Sequence, residues 1–285
     1  MKALSVLWRG ALIGAADIVP GVSGGTMALI TGVYEQLTTL IASVVKLPKR
    51  LYEQRSFEPI KNINYSFAIP LIIGVVAAFI AATQLLVPLI TQQPGYVYAV
   101  FCGLILGAAL MLILYNTHKL AHTLTGIAGF ILGLGALLIP HTDAAPTPIF
   151  LFILGIGAGF VMLFPGVSGS YLLLVTGHYA LLLAAIGQPF ANAVFLITFG
   201  AGVLIGIGLA ALCVQYVLRI AREHTLLFLS GLMLGALITP LITIHQATTG
   251  TTGWMLVTVL FAVGTIAAVG MQLKASTAGA QSSQN

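Results

Sequence analysis

The chain alternates long apolar runs with short polar or proline-bearing breaks. Apolar segments lie at about 4–19, 24–45, 67–90, 96–115, 120–139, 149–164, 170–186, 191–216, 226–244 and 253–272. The stretches 62–118, 144–218 and 224–273 contain no Asp, Glu, Lys or Arg. A helix crosses a bilayer with about 20 apolar residues, so each stretch is long enough for more than one crossing. No segment shows the roughly ten-residue alternation of an outer-membrane strand. The pattern predicts an all-α polytopic membrane protein.

Segments 4–19, 149–164 and 170–186 are short for full crossings. They flank two breaks, Pro20-Gly21-Val22-Ser23-Gly24-Gly25 and Pro165-Gly166-Val167-Ser168-Gly169-Ser170. Proline lacks an N–H and glycine tolerates unusual backbone angles, so Pro20, Gly21, Pro165 and Gly166 break the helices there. Hairpins over 4–45 and 149–186 are expected to dip into the membrane and return, and the other six segments to span it.

Composition removes whole function classes. Of 285 residues, 59% are hydrophobic and 6% charged, against about 25% charged in soluble domains. That excludes a soluble enzyme, a nucleic-acid-binding protein and a disordered chain. The two cysteines, Cys102 and Cys213, sit in apolar runs, so a disulfide scaffold is excluded too. Arg9 and Asp17 interrupt any signal-peptide core, and the N-terminus is not read as a cleavable leader. The net charge of +5 is therefore topological information. With the N-terminus in the cytoplasm, all 11 basic residues fall on the cytoplasmic side or its interface. These are Lys2, Arg9, Lys46, Lys49, Arg50, Arg55, Lys61, Lys119, Arg219, Arg222 and Lys274. The opposite loops carry Asp143 and two histidines. The basic loop 46–62 reads as a topology anchor, and its charge also attracts anionic headgroups.

The chain repeats itself. Residues 20–34 (PGVSGGTMALITGVY) match 165–179 (PGVSGSYLLLVTGHY) at nine of fifteen positions, at an offset of 145. Gly10 and Gly14 match Gly155 and Gly159. Residues 103–108 (GLILGA) match 231–236 (GLMLGA) at an offset of 128. The difference is about the length of the basic loop. Residues 1–145 thus form one unit, a hairpin plus three spans, and 146–272 a second; 273–285 are a polar tail. Three spans is an odd number, so the second unit enters from the opposite face. This is an inverted-topology repeat, an architecture of many transporters.

Broken backbone at membrane depth persists where it lines a cavity or is buried in protein. Ser23 and Ser168 occupy helix N-cap positions, and the half-helices behind them present N–H groups and a dipole suited to an anion. Gly24, Gly25 and Gly169 admit close approach to the backbone, while Thr26 and Ser170 add hydroxyls. Two such tips, one from each face, would cradle an anionic group near the midplane. Arg9 and Glu35 both fall about 16–18 Å from the tip at 1.5 Å per residue. They are placed to pair near the cytoplasmic interface, and Arg9 could also guide an anion inward. Asp17 lies three residues from Pro20, where an acid is costly. It fits a proton or cation site, or a cap on backbone N–H groups. His178 replaces Val33 in the second copy and reads as a packing or interfacial residue. No catalytic residue, metal-ligand cluster or cofactor motif is expected.

GAADIVPGVSGGTMALITGVYEQL (14–37), FPGVSGSYLLLVTGHY (164–179) and the two GLxLGA segments resemble the signatures of the PopT-type undecaprenyl phosphate translocase family. The resemblance covers nearly the whole chain. It implies a flippase that returns undecaprenyl phosphate, or a related polyprenyl phosphate, from the outer to the cytoplasmic leaflet for reuse in cell-envelope synthesis. It also implies a multi-pass protein of the bacterial cytoplasmic membrane, with membrane lipids as its other partners. Coupling to a proton or sodium ion and the oligomeric state are left open. The second motif has Ser170-Tyr171 where the first has Gly25-Thr26, so the tips need not contribute equally. One alternative is a transporter of a small soluble anion. Another is an enzyme similar to undecaprenyl pyrophosphate phosphatase, whose PGxSRSxxT loop carries an arginine where this chain has Gly24.

Overall fold

The computed structural model describes residues 3–19, 21–116, 120–135 and 147–282, all within or between helices. Lys2, Pro20, Lys119 and Asp143 lie outside the described residues. The first half runs α1 (Ala3–Ile18), α2 (Gly24–Ile30), α3 (Tyr34–Val45), the short α4 (Leu47–Gln54) and α5 (Glu58–Lys61), then α6 (Tyr65–Gln92), α7 (Pro94–Asn116) and α8 (Leu120–Gly135). The second runs α9 (Pro148–Met162), α10 (Gly169–Val175), α11 (Tyr179–Gly187), α12 (Ala193–Ile220), α13 (Arg222–Ala236), α14 (Ile238–Ala247) and α15 (Gly250–Ser282).

Among the described residues, five stretches are long and apolar enough to cross a membrane: Tyr65–Gln92, Pro94–Tyr115, Ala193–Ile220, Arg222–Ala247 and Gly250–Lys274. They coincide with five of the six expected spans. The sixth, α8, is described over 16 residues. Ile69, Ile72, Ile80 and Leu204 are each more than half exposed. A surface so apolar is stable only against lipid, and the chain is a multi-pass membrane protein.

In lipid, helices associate through close packing of small residues. Four helix pairs do this here: α1 with α6, α9 with α12, α7 with α15 and α8 with α13. A Cβ on Gly10 or Gly14 would strike the carbonyls of Leu71 or Val75. On Gly155 or Gly159 it would strike those of Phe199 or Val203. Glycines and the carbonyls they face therefore both recur in the second half. Gly103 and Gly107 face α15 in the same way, and Gly231 and Gly235 face α8.

The limbs after the two breaks depart from expectation. Neither 24–45 nor 170–186 is a single helix. Thr31-Gly32-Val33 divides the first into α2 and α3, and Thr176-Gly177-His178 divides the second, bending α10 from α11 by 113°. The cause is a helix stop written twice. Gly32 and Gly177 take φ of 73° and 80°. Gly32 N donates to the Leu29 carbonyl and Val33 N to that of Ala28, at 3.1 and 2.8 Å. Gly177 N and His178 N repeat both bonds on Leu174 and Leu173 at the same distances. This paired closure by a left-handed glycine ends a helix and redirects the chain. The half-helices behind the tips are consequently seven residues each, which leaves them little dipole.

Candidate functional site

The two breaks meet in the centre of the molecule. Val19, Val22, Ile30, Val33, Ile105, Leu229 and Met233 form a buried core around them. Ser23 caps α2, its Oγ accepting from Gly25 N at 3.1 Å. The same hydroxyl shares its proton between the carbonyls of Met162 (3.0 Å) and Phe164 (3.2 Å) at the opposite tip. Thr26 Oγ1 accepts from Gly166 N at 2.8 Å, and the Tyr34 hydroxyl donates to the Leu163 carbonyl at 3.1 Å. Residues 162–166 are thus held by three side chains of the first hairpin. Tyr34 matched its repeat partner in the sequence, but nothing there showed it reaching the other tip.

The second tip is tied differently. Ser168 Oγ and Ser170 Oγ hydrogen-bond each other at 2.7 Å, and Ser168 makes no side-chain cap. The amides of Gly169, Ser170 and Tyr171 have no hydrogen-bond partner among the described residues. At the first tip, Gly24 N, Gly25 N and Thr26 N are all bonded, to Asp17 Oδ1, Ser23 Oγ and the Ser23 carbonyl.

The tip glycines admit protein. A Cβ on Gly24 would lie 2.5 Å from Asp17 Oδ2, on Gly25 2.7 Å from the Leu163 oxygen, and on Gly169 2.7 Å from the Ala158 oxygen. Gly21 and Gly166 hold φ of 85° and 89°, which lets each chain turn sharply after its proline. Pro165 is buried. Between the tips a cavity of about 10 Å³ remains, touching Gly21, Gly166 and Tyr171. That is about the space of one water, so the tips are closed in this conformation.

Of the two roles open to Asp17, capping is the one seen: its Oδ1 accepts from Gly24 N at 2.7 Å. His178 is buried with its ring 5.0 Å from that of Phe150, which fits packing. Its Nδ1 has no hydrogen-bond partner among the described residues. The pairing expected between Glu35 and Arg9 is replaced. Arg222, at the start of α13, binds Glu35 Oε1 through Nη2 (2.7 Å) and Nε (3.0 Å). The helix break at Gly32 sets the direction of α3 and brings Glu35 to α13, while Arg9 sits half-buried on α1.

That ion pair stands in the wall of a cavity of about 560 Å³, which Tyr34, Gln36, Tyr115 and Gln272 also line. The cavity gathers the start of α3, the end of α7, the start of α13 and the far part of α15. Tyr34 joins it to the centre, since its hydroxyl bonds the opposite tip. Sequence reading placed Arg222 on the basic side and missed this role. The two partners are 187 residues apart, and no local pattern links them.

The described residues thus give a closed centre made of broken helices and, joined to it through Tyr34, a vestibule with an ion pair in its wall. No solved structure matches the chain. The chain is 36% identical over 239 residues to a polyprenyl-phosphate transporter of Vibrio cholerae serotype O1, covering 83% of this chain and 77% of that protein. It is 30% identical over 246 residues to a polyprenyl-phosphate transporter of Staphylococcus aureus, covering 80% and 83%. A family model described as VCA0040-like, undecaprenyl phosphate translocase-like, matches residues 13–254. The chain belongs to this undecaprenyl phosphate translocase-like family.

Proposed function

We propose that the protein is a transporter and not an enzyme, and that it moves undecaprenyl phosphate from the outer to the cytoplasmic leaflet of the bacterial cytoplasmic membrane. The headgroup crosses between the two PGVSG tips. The observation that carries this reading is the meeting of the tips, where Ser23, Thr26 and Tyr34 hold residues 162–166. When the hairpins part, the Ser23 and Thr26 hydroxyls are released and face Ser168, Ser170 and the unbonded amides of 169–171. A phosphate would find hydroxyl and N–H donors there, supplied from both sides.

The two units, 1–145 and 146–272, are inverted copies in this reading. The recurrence of glycine contacts at matching positions supports it, as does the exchange of partners in which α7 packs on α15 and α8 on α13. Dipping hairpins 4–45 and 149–186 then enter from opposite faces. By the positive-inside rule both termini and the Arg222 cavity are cytoplasmic. Burying a bare phosphate in hydrocarbon carries an idealised cost of order 20 kcal/mol; the tips lower it while the polyprenyl tail stays in lipid. Arg9, half-buried on the cytoplasmic limb, adds positive potential on the exit side.

The test is transbilayer movement of labelled undecaprenyl phosphate in liposomes holding the full chain. The wild type should move it, and Ser23→Ala/Ser168→Ala should slow it by about tenfold, the worth of one charged hydrogen bond. Movement no faster than in empty liposomes would overturn the function. Wild-type rates in the double variant would overturn the tips as its route.

A further inference from the structure

The vestibule at Arg222 has a neighbour. A second cavity, of about 260 Å³, is lined by Ile113, Gly126, Ile127, Phe130, Leu227 and Leu234 among others, nearly all apolar. The two cavities use adjacent residues of the same helices. Leu112 and Leu226 wall the first, Ile113 and Leu227 the second. The first has the Arg222–Glu35 pair in its wall; the second is a hydrocarbon-lined groove between α7, α8 and α13.

The Arg222–Glu35 pair is poised for exchange. Both donors, Nε and Nη2, fall on the same carboxylate oxygen. A guanidinium has five N–H groups, and Arg222 has no other acceptor among the described residues. The side chains are 60% and 53% exposed, so the pair contributes little stability. A phosphate monoester brings more charge than a carboxylate and a third oxygen, and guanidinium binds it bidentately. The repeat counterparts of Glu35 and Arg222 are Ala180 and Pro94, so no equivalent pair exists in the other half.

We propose that the two cavities form one binding site for a phosphate monoester bearing a hydrocarbon chain, in which the phosphate displaces Glu35 from Arg222 and the chain lies in the apolar groove. This rests on the translocase reading and deepens it: it is a second headgroup station, on the basic side of the tips. Glu35 acts as an internal competitor that holds the station closed when empty and returns to Arg222 as the lipid leaves. Tyr34, beside Glu35, carries the exchange to the tips through its bond to the Leu163 carbonyl.

The experiment measures equilibrium binding of labelled undecaprenyl phosphate to the full chain in nanodiscs, beside transport in liposomes and thermal unfolding. A purely structural ion pair makes Arg222→Gln and Glu35→Gln equivalent. A headgroup station gives them opposite signs: Arg222→Gln weakens binding about tenfold and Glu35→Gln tightens it about threefold. Their thermal midpoints shift alike, because each loses the same half-exposed pair. Gly126→Leu fills the groove, and its Cβ would meet only the Leu227 oxygen at an ordinary 3.5 Å. It should weaken binding of the lipid and leave binding of inorganic phosphate at Arg222 unchanged. Shifts of the same sign for the two charge variants overturn the site. So does inorganic phosphate binding as tightly as the lipid with no effect of Gly126→Leu, which would make the ligand the free ion. Wild type that transports the lipid while no variant alters binding defeats this station and leaves the translocase standing. Wild type that neither binds nor moves the lipid defeats both.

Discussion

The two hairpins share their scaffold and differ in their chemistry. Both have the PGVSG break, a seven-residue half-helix and the same glycine-terminated stop. Both pack their leading limb through paired glycines. The first tip, however, is saturated with internal bonds: Asp17 on Gly24 N, Ser23 on three backbone groups, Thr26 on Gly166 N. The second has Met162 where the first has Asp17, and its two serines bond each other. Arg9, Asp17, Glu35 and Arg222 correspond to Leu154, Met162, Ala180 and Pro94. The matched motifs therefore share backbone geometry, while none of these four charges has a charged counterpart. The first tip is the anchor; the second is the one with donors to spare.

The sharpest test of that contrast is at the paired turn glycines. Alanine at either Gly21 or Gly166 meets a left-handed backbone, costing about 1–2 kcal/mol. At Gly21 the new Cβ would find only Pro240 Cδ at 4.0 Å, whereas at Gly166 it would lie 2.5 Å from Met233 Cα. Gly166→Ala should give little or no folded protein. Gly21→Ala should fold with a melting midpoint lowered by roughly 5 °C. Yield and unfolding in detergent read both, and equal losses would show that the second tip is not wedged against α13.

Next come the cap serines. Ser23→Ala removes the cap on Gly25 N and the bond shared by the Met162 and Phe164 carbonyls, a loss of about 2 kcal/mol. Ser168→Ala removes one hydroxyl–hydroxyl bond and should cost about 1 kcal/mol or less. Asp17→Ala, which frees Gly24 N, belongs between them at about 1 kcal/mol. If Ser168→Ala proved as damaging to unfolding as Ser23→Ala, the tips would be equivalent anchors and the contrast would fail.

Much of this was legible in the sequence. Charge-free runs gave the helices, and the PGVSG pairs gave the breaks, because apolar length and helix-breaking residues act locally. Gly10, Gly14, Gly103 and their repeat partners were visible as matches before their packing role was known. The stops at Thr31-Gly32 and Thr176-Gly177 were also in the matched motif. A glycine closing an apolar run is a helix-end signal, yet the long run through 24–45 hides it. The tip contacts and the Glu35–Arg222 pair could not be read, since they join residues 129 to 187 apart. Such contacts depend on how whole helices cross. Reasoning from distance along α1 and α3 alone put Glu35 beside Arg9, because it assumed an unbroken limb.

The smallest effect is the most informative about motion. Tyr34 and Tyr179 are repeat equivalents. Tyr34 is buried and donates to the Leu163 carbonyl at 3.1 Å, while the Tyr179 hydroxyl has no hydrogen bond among the described residues and its side chain is half-buried. Tyr34→Phe deletes one oxygen and should lower stability by about 1 kcal/mol; Tyr179→Phe should leave it unchanged. The transport consequence has the opposite sign. Tyr34 holds the closed centre together, so its hydroxyl stabilises the closed conformation more than an open one. Removing it shifts the population toward the open state, by no more than the differential strength of that one bond. Labelled undecaprenyl phosphate should then cross liposomes up to about fivefold faster with Tyr34→Phe, and at the wild-type rate with Tyr179→Phe. A slower Tyr34→Phe variant would mean that its hydroxyl serves the lipid in transit, and that the bond between the tips is no barrier to crossing.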